Sequence, residues 1–361
     1  MNELLKEKKS FVEMEEFDNH KLISFFYDEK SGLEGFIALH RVNPEVPSFG
    51  ATRLCLYESS VEGLKDALRL SRLMSYKAAL AGLNCGGGKA VIIENTKKIH
   101  NKKDRERLFA QYAQKVNLLG GRFVTGTDVG VSQSDLFTMK TYAPSSIVGF
   151  NDNSTKFTAL GIFESIKVCL KEVFDSTDLQ GKKIAIQGVG KVGEELLNMI
   201  YKEVGDNGKI YITDVNQKLL KDMQVKYPKV ICVHPEDIHK QLVDVYCPCA
   251  LSNSLNSKTI YSLHTRIIVG SANNQLENEE IGDLLYKLGI LYAPDYVVNA
   301  GGLIGVFDEY KNKKYDYKQV CSRVLKISET LSDILIKSHK QHKATNRVAN
   351  EMAEKIFNAY E

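Results

Sequence analysis

The sequence predicts an α/β chain of two domains, the second of them a doubly wound parallel sheet, and three observations carry this. A length of 361 residues is about two domains' worth. From Lys182 onward, short apolar strand candidates alternate with helical or loop segments, as in a parallel sheet covered by helices on both faces. Before that point the pattern differs: two adjacent strands, a long amphipathic helix and a glycine-rich loop. The composition is ordinary for a globular chain, at 43% hydrophobic and 26% charged. Its net charge of +3 is too small to make the whole molecule an electrostatic binder of nucleic acid or membrane.

Leu22–Tyr27 and Leu33–His40 read as strands, with the turn formers Asp28–Gly32 between them, so they should pair antiparallel. Val61, Leu64, Leu68, Met74 and Ala78 fall largely on one helical face. That helix gives way at Gly82 to a loop with three consecutive glycines, and Lys89–Ile93 follows as a strand. Residues 97–107 hold six Lys/Arg, but no aromatic residues interleave them for base stacking. A solvated loop leading into an amphipathic helix over Leu108–Leu119 is the expectation there, not a nucleic-acid surface. A helix over Phe157–Phe174, opening near Thr158, bridges the two halves.

The second half supplies strands at Lys183–Gln187, Ile210–Thr213, Val230–Val233, Asp244–Tyr246, Ile267–Val269 and Ile290–Tyr292. After Gly301-Gly302 the chain is wholly helical. Val320, Val324, Ile327, Leu331 and Ile334 step by four and three, and a last helix carries Val348, Met352 and Ile356. With no strand left to build, this tail is expected to pack back on the first domain. The division expected is therefore 1–149 with 332–361 returning to it, and 150–331 for the second domain.

Seven cysteines, an odd number without metal-ligand spacing, suggest reduced, mostly buried thiols, and the eight scattered histidines suggest no structural metal. The first ten residues lack the apolar core of a secretory signal, and no apolar run is long enough to span a bilayer. A cytoplasmic location with no membrane partner is expected.

Gly188-Val189-Gly190-Lys191-Val192-Gly193 is a GxGxxG run between a predicted strand and a predicted helix. The first glycine permits the tight turn, the second lets a pyrophosphate approach, and the third lets helix and strand pack closely. The helix's free N–H groups then favour the phosphates. Asp214 ends the next strand, 26 residues beyond Gly188, where a carboxylate accepts from ribose hydroxyls and repels a 2′-phosphate. A Rossmann-type site with NAD as cofactor follows, though Asp214 also suits the cap of the next turn.

Lys77 closes the first long helix and Lys89 opens a strand directly after Gly86-Gly87-Gly88. A single lysine is ordinarily a solvated surface charge. Two converging on one partly dry cleft disfavour each other's charge, so one can act as a base while the other holds a carboxylate.

These residues lie in MSYKAALAGLNCGGGK. Together with FGATR, GRFVTGTDVG, GVGKVG, GSANNQL and APDYVVNAGG, they make the chain resemble the amino acid dehydrogenases of the glutamate/leucine/phenylalanine/valine type, in the leucine, phenylalanine or tryptophan branch. The likeness runs over nearly the full length. It implies NAD-dependent, reversible oxidative deamination of an L-amino acid to a 2-oxo acid and ammonia, in a homo-oligomer. It implies that Lys77 binds the substrate carboxylate, that Lys89 is the catalytic lysine and that Asp128 shuttles the amine's protons. Asp128 otherwise reads as a loop aspartate ahead of a helix near Ser132. The likeness also assigns Thr158, Cys249, Ala250, Leu251, Ser271, Ala272, Asn273 and Asn299 to the cofactor, and Gly50 and Asn274 to the substrate. Asn273 and Asn274 otherwise suit a strand-end turn.

By the same likeness the substrate's side chain meets Phe49, Gly126, Leu303 and Val306. None carries charge, which disfavours a second carboxylate, and a large apolar or aromatic L-amino acid is expected. Lys156, Lys191 and Gly305 depart from the family's usual proline, asparagine and asparagine. The competing expectation is a catalytically inactive NAD-binding sensor on the same fold; retention of Lys77, Lys89 and Asp128 together argues against it.

Overall fold

The computed structural model describes residues 11–95, 98–151, 153–250, 253–312 and 316–358. It contains two compact units: Met1–Asp152 with Glu309–Lys313 and Lys355–Glu361, and Asn153–Asp308 with Lys314–Glu354.

In the first unit, β1 (Leu22–Asp28) and β2 (Leu33–Leu39) form the expected antiparallel pair, Leu22 opposite Leu39. Next come β3 (Ser48–Phe49), β4 (Thr52–Cys55), α1 (Ser60–Leu80), β5 (Gly88–Ile93), α2 (Lys102–Asn117), β6 (Phe123–Val124) and α3 (Gln133–Tyr142). The main sheet has the order β1-β2-β5-β4, with β4 and β5 parallel. Alternation along the strands feeds two cores. Ile37, Leu39, Ala90 and Ile92 pack with Leu108, Phe109 and Tyr112 of α2, while Phe36, Ala38 and Val91 pack with Leu64, Ala67 and Leu68 of α1. Lys89 is two residues from Val91, so it projects on the α1 face. At the end of the chain the Phe357 ring returns to this unit, with its centroid 5.6 Å from that of Tyr76.

The second unit opens with α4 (Ser154–Phe174), followed by β7 (Lys183–Gln187), α5 (Lys191–Glu203), β8 (Lys209–Thr213), α6 (Gln217–Lys226), β9 (Val230–Cys232), β10 (Val245–Pro248) and β11 (Ile267–Ile268). Then come α7 (Glu279–Lys287), β12 (Leu291–Tyr292), α8 (Asp295–Val298), α9 (Gly301–Lys311), α10 (Tyr317–Gln341) and α11 (Thr345–Asn358). The six strands are parallel in the order β12-β11-β10-β7-β8-β9. The order reverses between β7 and β10, and ligands bind at such a switch point, outside the strands' carboxyl ends.

The C-terminal tail corrects the expected division. Most of it belongs to the second unit, and only Glu309–Lys313 and Lys355–Glu361 cluster with the first. The reason lies in the partner of the apolar stripe. Val320, Val324, Ile327 and Leu331 are buried, and α10 lies along α4. Gly161 of α4 admits the contact, since a Cβ there would stand 2.9 Å from Ile327 Cδ1. Arg347 of α11 then pairs with Glu279 and, at 2.9 Å, with Asp283 of α7.

Among the described residues all seven cysteines are free, no helix is long and apolar enough to cross a membrane, and no group of three His, Cys, Asp or Glu is arranged to hold a metal.

Candidate active site

In the first unit, strand register assembles the reactive groups. Thr52 pairs with Ala90 and bridges to Thr127, so Arg53, Lys89 and Asp128 are drawn to one place. Lys89 is 5% exposed, and its Nζ donates to Asp128 Oδ2 at 2.5 Å. Arg53 Nε donates to that same oxygen at 3.0 Å. Burial alone would raise the Asp128 carboxyl, but the charges of Lys89 and Arg53 outweigh it and hold the group well below the usual carboxylate range.

Lys77 is half-buried in the last turn of α1. Two residues before it, Ser75 Oγ accepts from the backbone N–H of Gly87 at 2.9 Å, two residues before Lys89. A Cβ on Gly87 would lie 2.0 Å from the Ser75 nitrogen, so only glycine lets helix and loop meet this closely. The glycine loop thus ties the two lysine-bearing elements together.

Phe49 is fully buried, with its ring edge-on to Tyr310 at 5.2 Å. Gly50 lies against the Gly88 carbonyl, which a Cβ would meet at 1.8 Å. Gly126 is buried, and a methyl there would approach the Val148 carbonyl to 3.2 Å, so the neighbour would have to give slightly.

The second unit carries the glycine fingerprint between β7 and α5, and each glycine has its own reason. Gly188 has φ +92° and backs onto Ala250; a Cβ on Gly193 would sit 2.0 Å from the Gly188 carbonyl. Around Gly190 nothing lies within 4 Å of a Cβ, leaving open space at the amino end of α5. Lys191 is exposed and Val192 half-buried beside it. Asp214 does two jobs: its Oδ2 accepts from Val189 N at 3.0 Å, and its Oδ1 accepts from Asn216 N at 2.9 Å. Asp214 therefore caps the turn that follows β8.

Ser271, Ala272, Asn273 and Asn274 follow β11, and Asn299 follows α8. Asn299 Nδ2 donates to Ser271 O at 3.2 Å and to Asn273 Oδ1 at 3.0 Å. Asn274 is held at φ 53° by its N–H bond to Asp295 Oδ2 at 2.7 Å. Asn274 Nδ2 and Asn299 Oδ1 are buried with no hydrogen-bond partner among the described residues. Buried polar atoms are rarely left so: the Asn299 acceptor complements the N–H of a carboxamide such as nicotinamide, and the Asn274 donor complements an oxygen such as that of a carboxylate. The residues fit a nicotinamide dinucleotide.

Thr158 Oγ1 donates to Ser154 O at 2.9 Å. Burial pushes the Cys249 thiol up, with bonds to Ser271 opposing it. Leu251 lies outside the described residues. On α9, Leu303 is buried and Val306 half-buried. A Cβ on Gly305 would stand 2.8 Å from the Phe157 ring.

Arg53 and Asp66 were not singled out from the sequence. Asp66 of α1 accepts from Arg53 Nη1 at 2.9 Å and from Tyr57 OH at 2.7 Å. No local signal marks them: Arg53 lies on β4 and Asp66 on α1, and only the fold brings the two side chains together.

A doubly wound nucleotide sheet, with a buried lysine paired to a half-buried carboxylate in the accompanying unit, points to the class of dinucleotide-dependent dehydrogenases. Comparison narrows the class. The profile of the Glu/Leu/Phe/Val dehydrogenase dimerisation domain matches residues 21–143, and that of Glutamate/Leucine/Phenylalanine/Valine dehydrogenase matches 149–359. Leucine dehydrogenase of Geobacillus stearothermophilus is 36% identical over 349 residues, covering 95% of this chain and 92% of that one. Phenylalanine dehydrogenase of Bacillus thermotolerans is 38% identical over 366 residues, covering 97% and 92%. The crystal structure of L-tryptophan dehydrogenase from Nostoc punctiforme superposes with a TM-score of 0.79 at 36% identity, covering 95% of this chain and 97% of that one. The chain belongs to the Glu/Leu/Phe/Val dehydrogenase family and is an amino acid dehydrogenase.

Proposed function

We propose that this enzyme converts an apolar or aromatic L-amino acid, with NAD, reversibly to the 2-oxo acid and ammonia, and works as a homo-oligomer. The Lys89–Asp128 contact, with the lysine buried and the carboxylate 16% exposed, carries the proposal: a cation and an anion 2.5 Å apart can pass protons. When bound, the dinucleotide supplies the two-electron acceptor for the Cα–H bond.

Lys89 handles the proton of the attacking water and polarises the oxo group in the reverse direction. Asp128 exchanges protons with the substrate nitrogen. Lys77 holds the α-carboxylate as a point charge. Phe49, Gly50, Gly126, Asn274, Leu303 and Val306 contact the substrate, and the absence of charge among them favours an apolar side chain. Gly188, Val189, Gly190, Lys191, Val192 and Gly193 hold the pyrophosphate, with Asp214 on the ribose. Thr158, Cys249, Ala250, Leu251, Ser271, Ala272, Asn273 and Asn299 complete the cofactor's surroundings. The relatives' names, leucine, phenylalanine and tryptophan dehydrogenase, support this substrate class.

The test is a panel of L-amino acids mixed with protein and NAD, read by absorbance of the reduced dinucleotide. Turnover with leucine-like or aromatic members and little with glutamate is expected. Turnover confined to glutamate, or none at all, would refute the proposal.

Asp214→Ala is expected to weaken NAD about tenfold and to narrow the gap between NAD and NADP, measured as two dissociation constants. An unchanged ratio means that another residue reads the ribose.

A further inference from the structure

Lys89 and Arg53 converge on a single oxygen, Asp128 Oδ2, at 2.5 and 3.0 Å. The guanidinium is shared. While its Nε serves Asp128, its Nη1 serves Asp66 Oδ2 at 2.9 Å. Asp66 is itself fixed from two more directions, by Tyr57 OH at 2.7 Å and by Arg69 Nη2 on its other oxygen at 3.0 Å. Both side chains are largely removed from water, Arg53 at 14% and Asp66 at 12% exposure. A planar fork that reaches two carboxylates through two different nitrogens is something a lysine cannot reproduce.

Charge explains what the arrangement accomplishes. A buried ion pair that loses one partner leaves an uncompensated charge, at high cost. If Lys89 and Asp128 stood alone, proton loss from the lysine would strand the carboxylate, and the two would stay locked together. With Arg53 on the same oxygen, Asp128 keeps a cationic partner whichever way the Lys89 proton moves. Burial alone would pull the Arg53 guanidinium down, yet Asp128 and Asp66 outweigh it, so Arg53 remains a cation throughout.

We propose that Arg53, anchored by Asp66, is a positioning residue for the reaction: it fixes Asp128 Oδ2 against Lys89 and keeps that carboxylate compensated while the lysine proton moves. This rests on Lys89 and Asp128 being the proton-handling pair. It adds a third and a fourth member to the site, the latter on the helix that carries Lys77.

The test compares Arg53→Met, Arg53→Lys and Asp66→Asn with Lys89→Met and Asp128→Asn in the full-length enzyme. Arg53→Met is expected to lower kcat roughly 100-fold while KM for the amino acid moves less than about threefold. Arg53→Lys recovers part of the loss, since it restores charge but not the fork. Added methylguanidinium raises kcat of Arg53→Met, and Asp66→Asn shows a smaller fall in kcat with the same unmoved KM. A readout independent of turnover is the Asp128 carboxyl carbon, assigned by its absence in Asp128→Asn and followed by ¹³C NMR: its midpoint moves upward in Arg53→Met. A folded Arg53→Met with kcat within threefold of the parent, or with an unmoved Asp128 midpoint, overturns the proposal. Normal turnover in Lys89→Met and Asp128→Asn would instead remove the catalytic reading beneath it.

Discussion

Replacing Lys89 with methionine is expected to cut turnover of the preferred amino acid roughly 1,000-fold or more while NAD binds as before. The size follows from what is lost. Methionine keeps an apolar stem in a position that is 5% exposed, but it removes the only group 2.5 Å from Asp128 Oδ2 that can both hold and release a proton among the described contacts. Asp128 is not stranded, because Arg53 Nε still donates to it at 3.0 Å, so the fold should survive the change. The glycine fingerprint belongs to the other compact unit, which is why dinucleotide affinity should stand. Stopped-flow turnover and a fluorescence titration of the dinucleotide separate the two effects. Near-parental turnover would strip Lys89 of its role.

Gly193→Ala should produce the opposite split, weakening NAD at least tenfold and destabilising the unit by about 1–3 kcal/mol, as overpacking does. A Cβ there would lie 2.0 Å from the Gly188 carbonyl, a backbone atom that cannot swing aside. Relief requires α5 to move off β7, and the turn around Gly190, where the phosphates are expected, deforms with it. Gly190→Ala is the informative companion: nothing lies within 4 Å of its Cβ, so it should leave the melting temperature nearly unchanged while still obstructing the ligand. A Gly193→Ala protein with parental Tm and affinity would mean that the close approach of helix and strand is dispensable.

Much of this was legible in the sequence because it is local. The fingerprint sits between β7 and α5, and the alternation of strands gave the parallel sheet. The strands β3 and β6, two residues each, were not legible, since they form by pairing with one another across 75 residues of chain, Ser48 with Phe123. The partner of the C-terminal stripe was also hidden: periodicity fixes which face of α10 is apolar but not that Gly161 of α4 will receive it. Lys89 and Asp128, the pair proposed to handle protons, were readable through family likeness, whereas Arg53 and Asp66 were not. Their link needs the Thr52–Ala90 register and the docking of α1 on the sheet, both products of tertiary structure.

The reaction proposed is oxidation of the amino acid at Cα with protons handled by Lys89 and Asp128. Its most direct test uses L-leucine and L-phenylalanine deuterated at Cα, with mass measurement of the dinucleotide recovered after one turnover. The parent enzyme should yield reduced dinucleotide carrying the deuterium with at least one of the two substrates, and Lys89→Met should yield none on the same timescale. Reduced dinucleotide without deuterium, or equal labelling by the parent and Lys89→Met, would contradict it.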